Sequence, residues 1–537
     1  MDISGCSFSE LSYSTLFNTY LNNFDKLRAF YEYNPLYAGD IEKRAGTISS
    51  SNYKSKYVEA LKKYHDELGI TSSQENQLKK LASDDSLAIV TGQQLGILGG
   101  PLFTIYKTMT AILLAKEYEK KLGRPVVPVF WLADEDHDFE EIAWTGITGR
   151  KDFTKVQLDQ QGSGHPVSDE IISDQIEELK AKVKEELFET DFSDKLWNQL
   201  NEHYMQGKTH AQAFAGLIND WFAEEGLLIA GSNFKAIKKI LADEFTQSIS
   251  EADLIYQSVE NKSKELEKEF HRQVMNGDSN LFYISDQEGR LKIHKDGSNW
   301  TAGPISWKEA ELLEEIQNKP ENFSPNVFLR PIIQDKLLPT LGYVAGPGEL
   351  AYYGQMKDLY KQFDLEMPPI FPRFCGTLIE SGITRIVEKL PFRFCEYGKR
   401  IEDLESEFVE QADTTDIEEV FSEWKQKLED SAKKPLEVIN EIDPTLDGTV
   451  GKTVAGFTNE LDKLKGRVYR SIKKQEEIQI NRIEKIKVNL FPDGGLQERA
   501  VSPVYFMNKY GLDIWSQLLT EVEKNGLDLT KHHLIEL

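Results

Sequence analysis

The chain has 537 residues, 40% of them hydrophobic, and a formal net charge of −26. This length exceeds the ~100–200 residues of one domain, so two or three structural units are expected, and so acidic a chain excludes a nucleic-acid groove, which needs concentrated Lys and Arg. Three scattered cysteines, Cys6, Cys375 and Cys395, offer neither a zinc pattern nor a disulfide framework and fit a reducing cytoplasm; with no cationic apolar leader and no run of ~20 apolar residues, an unexported protein without a membrane partner is expected.

Residues 1–85 read as helical, with Phe24, Phe30, Tyr31 and Tyr33 covering one face of a sheet that begins at Leu87. Leu87-Ala88-Ile89-Val90 is short and apolar, as a buried parallel strand should be. It runs into Thr91-Gly92-Gln93-Gln94 and then Gly99-Gly100-Pro101, after which Ile105, Met109 and Ile112 recur at helical spacing until Gly123-Arg124-Pro125. A strand feeding a helix through bare backbone suggests an anion site built from free amides and the positive end of the helix dipole. Gln93, Gly99, Gly100 and Thr104 are therefore candidate ligand contacts, with Gln94 and Lys107 nearer the chemistry.

The next strand, Val126 to Ala133, ends in Asp134-Glu135-Asp136-His137-Asp138. Open α/β sheets bind ligands beyond the carboxyl ends of their strands, so this cluster favours chemistry over solvation. His137, flanked by carboxylates, is the candidate general base or hydrogen-bonding group beside Asp136. Asp134 and Asp138 are candidate binding residues, and Asp134 or Asp136 could hold Mg²⁺ through water.

Ile171 to Met205 is charged and helical in pattern, and Trp221 to Gly231 returns to the core as helix and strand. Leu281–Ile284 and Leu291–His294, flanking Asp286 to Arg290, resemble a β-hairpin in a second insertion, with His294 a surface residue. Beyond Val327 to Ile333 the glycine-dense Gly342 to Tyr353 leads into another helix; Gly346, Gly348, Glu349 and Tyr352 join the candidate set, and Arg330 and Arg373 are the cations best placed for an anionic ligand. From Asp416 the pattern changes: Ile417, Val420, Trp424 and Leu428, then Leu446 through Ile472 beyond Asp443-Pro444, take coiled-coil spacing and predict an antiparallel hairpin with apolar stripe to spare for a second copy. The resulting division is 1–155 and 216–265 as core, 156–215 and 266–325 as insertions, 326–385 as core, 386–487 as coiled coil and 488–537 as a return to the core.

Thr91-Gly92-Gln93-Gln94 with Gly99 through Lys107, Pro128 through Asp138, Gly346 through Tyr352, and Leu490-Phe491-Pro492 through Arg499 resemble, in order and along nearly the whole chain, the bacillithiol biosynthesis cysteine-adding enzymes. The resemblance implies an α/β fold with a Rossmann-like parallel-sheet core related to class I aminoacyl-tRNA synthetases, two connecting-peptide insertions and a dimerising α-helical coiled coil, and it brings Arg499 into the candidate set. It implies a ligase joining the carboxyl of L-cysteine to the amine of glucosaminyl-malate; an acyl-adenylate made from ATP with Mg²⁺ is the expected device for such a reaction on this fold, and the scattered cysteines leave no zinc expected. A nucleotide-sugar or phosphoryl-transfer enzyme, and a nucleotide-binding scaffold, are the competing expectations, since glycine turns beside acidic strand ends serve all three.

Overall fold

The computed structural model describes every residue except 50–52, 150–151, 232, 234, 413–416 and 476. Two compact units result: residues 1–378 with 497–537, and residues 379–496.

The first unit is organised by five parallel strands: β1 (Leu87–Gln93), β2 (Val126–Leu132), β3 (Leu228–Gly231), β4 (Thr340–Ala345) and β5 (Ile370–Pro372). Their order in the sheet is β5-β4-β1-β2-β3. Side chains alternate faithfully between two apolar layers. Leu87, Ile89, Phe130 and Ile229 join one cluster, while Ala88, Val90, Val129, Trp131 and Leu228 join the other. Burial on both faces explains why these strands read as continuous apolar runs, and fully burying one such side chain contributes ~1.5–3 kcal/mol. The helix α1 (Phe103–Leu122) crosses from β1 to β2 and ends at Gly123 in the left-handed conformation, as the Gly-Arg-Pro stop predicts.

The expected all-helical start is corrected at its first residues. Asp2–Ser7 is a strand paired antiparallel with Lys531–Glu536, a partner more than five hundred residues away that local pattern cannot reveal. The four aromatic residues named above are buried as expected. The first expected insertion holds two helices, Gln175–Glu186 and Ser193–His203. The second holds the hairpin Leu281–Ser285 with Gly289–Lys292, extended by Phe323–Pro325 on the other side of its first strand. Both belong to the same unit as the sheet rather than forming separate bodies.

The second unit begins earlier and ends later than the expected 386–487, because Ser381–Val387 and the short turn Phe394–Gly398 pack on Glu477–Leu490. Its long helices, Ile417–Ile442 and Asp447–Gln475, are antiparallel, joined at Asp443-Pro444 and tied by Lys425 to Asp462 at 2.5 Å and Lys465 to Glu418 at 2.9 Å. Residue 416, where the change of pattern was placed, lies outside the described residues. The chain leaves the first unit at Leu378 and re-enters it at Gln497. There the Gln497 amide brackets the Leu378 backbone, accepting from its N–H and donating to its carbonyl, both at 2.9 Å.

Candidate functional site

Strand order reverses between β1 and β4, the place where an open parallel sheet leaves a crevice beyond its carboxyl edge. A cleft of about 600 Å³ opens there, walled by the ends of β1, β2 and β4, the Gly346–Glu349 turn, the hairpin and the returning Arg499.

Lys107 rises from α1 into its floor. Nζ donates to the Gly92 carbonyl and to Gln93 Oε1, both at 2.9 Å, and pairs with Glu349, so its three protons are all used. Glu349 also accepts from the Gly346 N–H at 2.8 Å and the Tyr343 hydroxyl at 2.7 Å. Burial pulls the Lys107 ammonium below the ordinary lysine range. Burial pushes Glu349 up, but the ammonium and its other donors hold it below the usual carboxylate range, so the pair is ionised.

Arg330, on the helix Leu329–Leu337, donates to Gln334 Oε1 at 3.1 Å and to the hydroxyls of Tyr343 at 3.4 Å and Tyr352 at 3.3 Å. Burial pushes the Tyr352 hydroxyl up to about 12 against the pull of Arg330, so it remains a neutral partner. Arg373 is different. It is 2% exposed and donates to Glu498 Oε1 at 2.6 Å, with Glu498 fully buried. The expectation that Arg373 serves a ligand's charge is corrected: its own charge is already balanced, and it acts as a structural tie beneath the cleft.

Six basic and three acidic side chains line this cleft. Glu349 is taken by Lys107, Glu135 by the buried Lys238 at 3.0 Å and Asp136 by Arg290 at 3.4 Å. Among the described residues, Lys292, Arg330 and Arg499 line the cleft without a carboxylate in ion-pair contact, and the partners of Arg330 are all neutral. In a chain of net charge −26 this local excess of cations favours an anionic ligand.

At the end of β2, His137 Nδ1 stands 3.2 Å from Arg290 Nη1, and Asp136 Oδ1 accepts the His137 N–H at 2.8 Å. Gln94 Nε2 donates to Glu141 at 2.7 Å and reaches Asp136 Oδ2 at 3.4 Å. Gln93, Gln94, Lys107, Asp136, His137, Arg330, Gly346, Gly348, Glu349, Tyr352, Arg373 and Arg499 thus share one cleft.

Five sequence candidates lie elsewhere. Gly99 has φ +89 and a Cβ placed there would stand 2.6 Å from the Trp221 ring; the Gly100 N–H donates to the Ile97 carbonyl at 3.1 Å. Thr104 is fully buried, and the Leu102 N–H at the start of α1 donates to the Val501 carbonyl at 2.9 Å. The glycine turn is therefore packed against Trp221, with the amides of Gly96, Gly100, Leu102 and Thr104 given to backbone carbonyls, which is a poor fit to a phosphate cradle. Asp134 is buried outside the cleft lining, and Asp138 caps the helix Phe139–Ile142 through the Glu141 N–H at 3.2 Å, facing a neighbouring cavity. Among the described residues no three His, Cys, Asp or Glu side chains gather to hold a metal ion. Of the two carboxylates expected to meet Mg²⁺ through water, Asp134 lies outside the cleft lining and Asp136 lines it beside Arg290.

Reasoning from sequence missed Arg290, Lys292, Lys238 and Glu498. Each reaches the site from a distant segment, and none sits in a glycine or acidic motif that would flag it.

Residues 1–374 match the family description "Bacillithiol biosynthesis BshC, N-terminal Rossmann-like domain", and residues 376–537 match "Bacillithiol biosynthesis BshC, C-terminal coiled-coil domain". The chain belongs to the BshC family. A curated relative from Chloroherpeton thalassium named "Putative cysteine ligase BshC" is 32% identical over 551 residues, covering 99% of this chain and 98% of the relative. Relatives of the same name from Oceanobacillus iheyensis and Salinibacter ruber are 31% and 30% identical, covering 94% and 93% of this chain and 95% and 92% of their own lengths. An enzyme of the ligase class, expected from the four sequence blocks, is what BshC membership gives. Among the described residues no helix is long and apolar enough to cross a membrane.

Proposed function

We propose that the chain joins the carboxyl of L-cysteine to the amine of glucosaminyl-malate, the amide-forming step of bacillithiol biosynthesis. The observation that carries this reading is the cleft at the strand-order reversal, where Lys292, Arg330 and Arg499 stand without carboxylate partners among the described residues. A malate-bearing amine presents carboxylates to such groups, and guanidinium forks suit them geometrically. Asp136 and His137 lie in the same cleft, where Asp136, paired with Arg290 but still 40% exposed, can accept a hydrogen bond from an incoming amine.

A carboxylate and an amine do not condense usefully in water, so the carboxyl oxygen must first become part of a leaving group. We assign that activation to ATP, with Mg²⁺ arriving on the nucleotide, and an acyl-adenylate as the activated species. Burial of the glycine turn speaks against phosphates at Gly99 and Gly100, and so against the competing reading of a phosphoryl-transfer enzyme built on that turn. The second unit supports a homodimer, because Trp424 and Phe457 are 49% and 56% exposed on the antiparallel helices. Cys6, Cys375 and Cys395, which form no disulfide among the described residues, are consistent with a cytoplasmic enzyme.

Incubating the pure chain with cysteine, glucosaminyl-malate and ATP, and reading products by mass spectrometry, tests the proposal. It predicts the cysteinyl amide together with AMP. ADP as the nucleotide product replaces the adenylate by an acyl phosphate, and no cysteine-containing product rejects the ligase reading for these substrates.

A further inference from the structure

Arg290 sits on the second strand of the hairpin, and its side chain is only 6% exposed. Its guanidinium carbon lies 3.7 Å from the centre of the Phe282 ring, Nε donates to Ser324 Oγ at 2.9 Å and Nη2 to the Pro325 carbonyl at 2.9 Å. Three fixed contacts leave Nη1 directed at one place, where His137 Nδ1 is 3.2 Å away and Asp136 Oδ1 3.4 Å.

A guanidinium only donates hydrogen bonds. In this contact Nδ1 must therefore accept, and the ring proton belongs on Nε2. The rival arrangement, Nδ1–H donating to Asp136 Oδ1, spans the longer distance of 3.4 Å to an oxygen that already accepts the His137 N–H at 2.8 Å.

We infer that Arg290 is a positioning residue that holds His137 in the Nε2–H tautomer, so that the imidazole enters the cleft as a hydrogen-bond donor rather than as a proton acceptor. This rests on the reading above that the amide forms in this cleft. The consequence concerns where the amine's proton goes. Once its ammonium form has given one proton to solvent, the neutral amine nitrogen bonds to the activated carboxyl carbon, and the bond from that carbon to the leaving-group oxygen breaks with the oxygen keeping the electron pair. The nitrogen then sheds a proton to Asp136, the carboxylate lining the same wall, while His137 Nε2–H donates to an oxygen on which negative charge develops.

The test is a ring-¹⁵N spectrum of the full chain labelled at histidine, with His137 assigned by comparison with His137→Gln. The expected result is Nε2 protonated and Nδ1 bare in the native protein, with Arg290→Gln releasing the Nδ1–H form. Ser324→Ala, which removes the Nε contact and leaves Nη1 in place, should retain the native tautomer and controls for loosening of the hairpin. In kinetics, Arg290→Gln should lower kcat by ~10-fold or more, with partial recovery in Arg290→Lys. Native His137 carrying its proton on Nδ1, a tautomer indifferent to Arg290→Gln, or a switched tautomer with unchanged kcat would each overturn the inference. The spectrum needs no substrate, so a failure of the ligase reading shows separately, as absence of product from the native enzyme.

Discussion

Lys107 and Glu349 form an ion pair bridging the ends of β1 and β4, the two neighbouring strands between which the sheet's order reverses. Lys107 is 3% exposed and Glu349 21%, so the lysine left alone would be the more poorly hydrated charge. Lys107→Met or Glu349→Gln should each destabilise the first unit by ~3–5 kcal/mol, and the double variant by less than the sum, because removing both charges removes the stranded one. Urea titrations of the four proteins check this, and strictly additive losses would contradict the pairing.

Gly99→Ala separates packing from phosphate binding. The added Cβ meets Trp221 at 2.6 Å in a left-handed backbone, which predicts a loss of ~1–3 kcal/mol in stability. The folded fraction should keep its KM for ATP. A large rise in that KM with unchanged melting would restore the turn as a nucleotide site.

Removing the Arg330 guanidinium deletes a charged donor whose described partners are all neutral. Arg330→Gln is expected to weaken an anionic amine substrate by ~10–100-fold, the equivalent of one hydrogen bond to a charged group. Steady-state KM for glucosaminyl-malate measures it, and native binding should itself weaken as salt is added. A salt-independent KM, unaltered by the substitution, would remove Arg330 from the site.

Acid stability follows from buried histidines. Burial lowers His65, His210 and His532 to about 4, against an ordinary value near 6.5. The unfolded chain therefore binds more protons between these values, so their contribution is fully present above pH 6.5 and is lost as the pH falls towards 4. His210 is 1% exposed, lies edge-on to Phe139, and among the described residues neither ring nitrogen has a hydrogen-bond partner. Replacing it with Phe should flatten the melting-temperature profile across that window, recovering on the order of 3 kcal/mol at its acid end. An unchanged slope would mean that His210 is reached by solvent.

In the second unit, Trp424→Glu combined with Phe457→Glu should convert a dimer to a monomer by light scattering at micromolar concentration. A native monomer, or a dimer that survives both substitutions, would place any self-association elsewhere.

The strands at residues 87 and 126, the helix after Pro101, the hairpin near 286 and the paired helices beyond 417 were legible because each rests on local periodicity and a local stop signal. The acidic strand end and the Gly346 turn were legible as site elements for the same reason. What escaped depends on chain segments brought together from far away: Arg290 beside His137, Glu498 under Arg373, and the C-terminal segment that seals the glycine turn at Val501. Gly99 and Gly100 misled because an exposed phosphate loop and a buried packing turn demand the same residue, one so that a ligand's oxygens can approach, the other so that an indole can.

The bracket between Leu378 and Gln497 has an engineering consequence. Since the two ends of the inserted helical segment depart from adjoining positions, the intervening stretch behaves as a cassette, and a turn of a few residues spanning 378 to 497 would close the gap without stretching either side. A shortened protein made in this way would keep the cleft and lack the long helices, so that its turnover and its size in solution could both be weighed directly against those of the full chain.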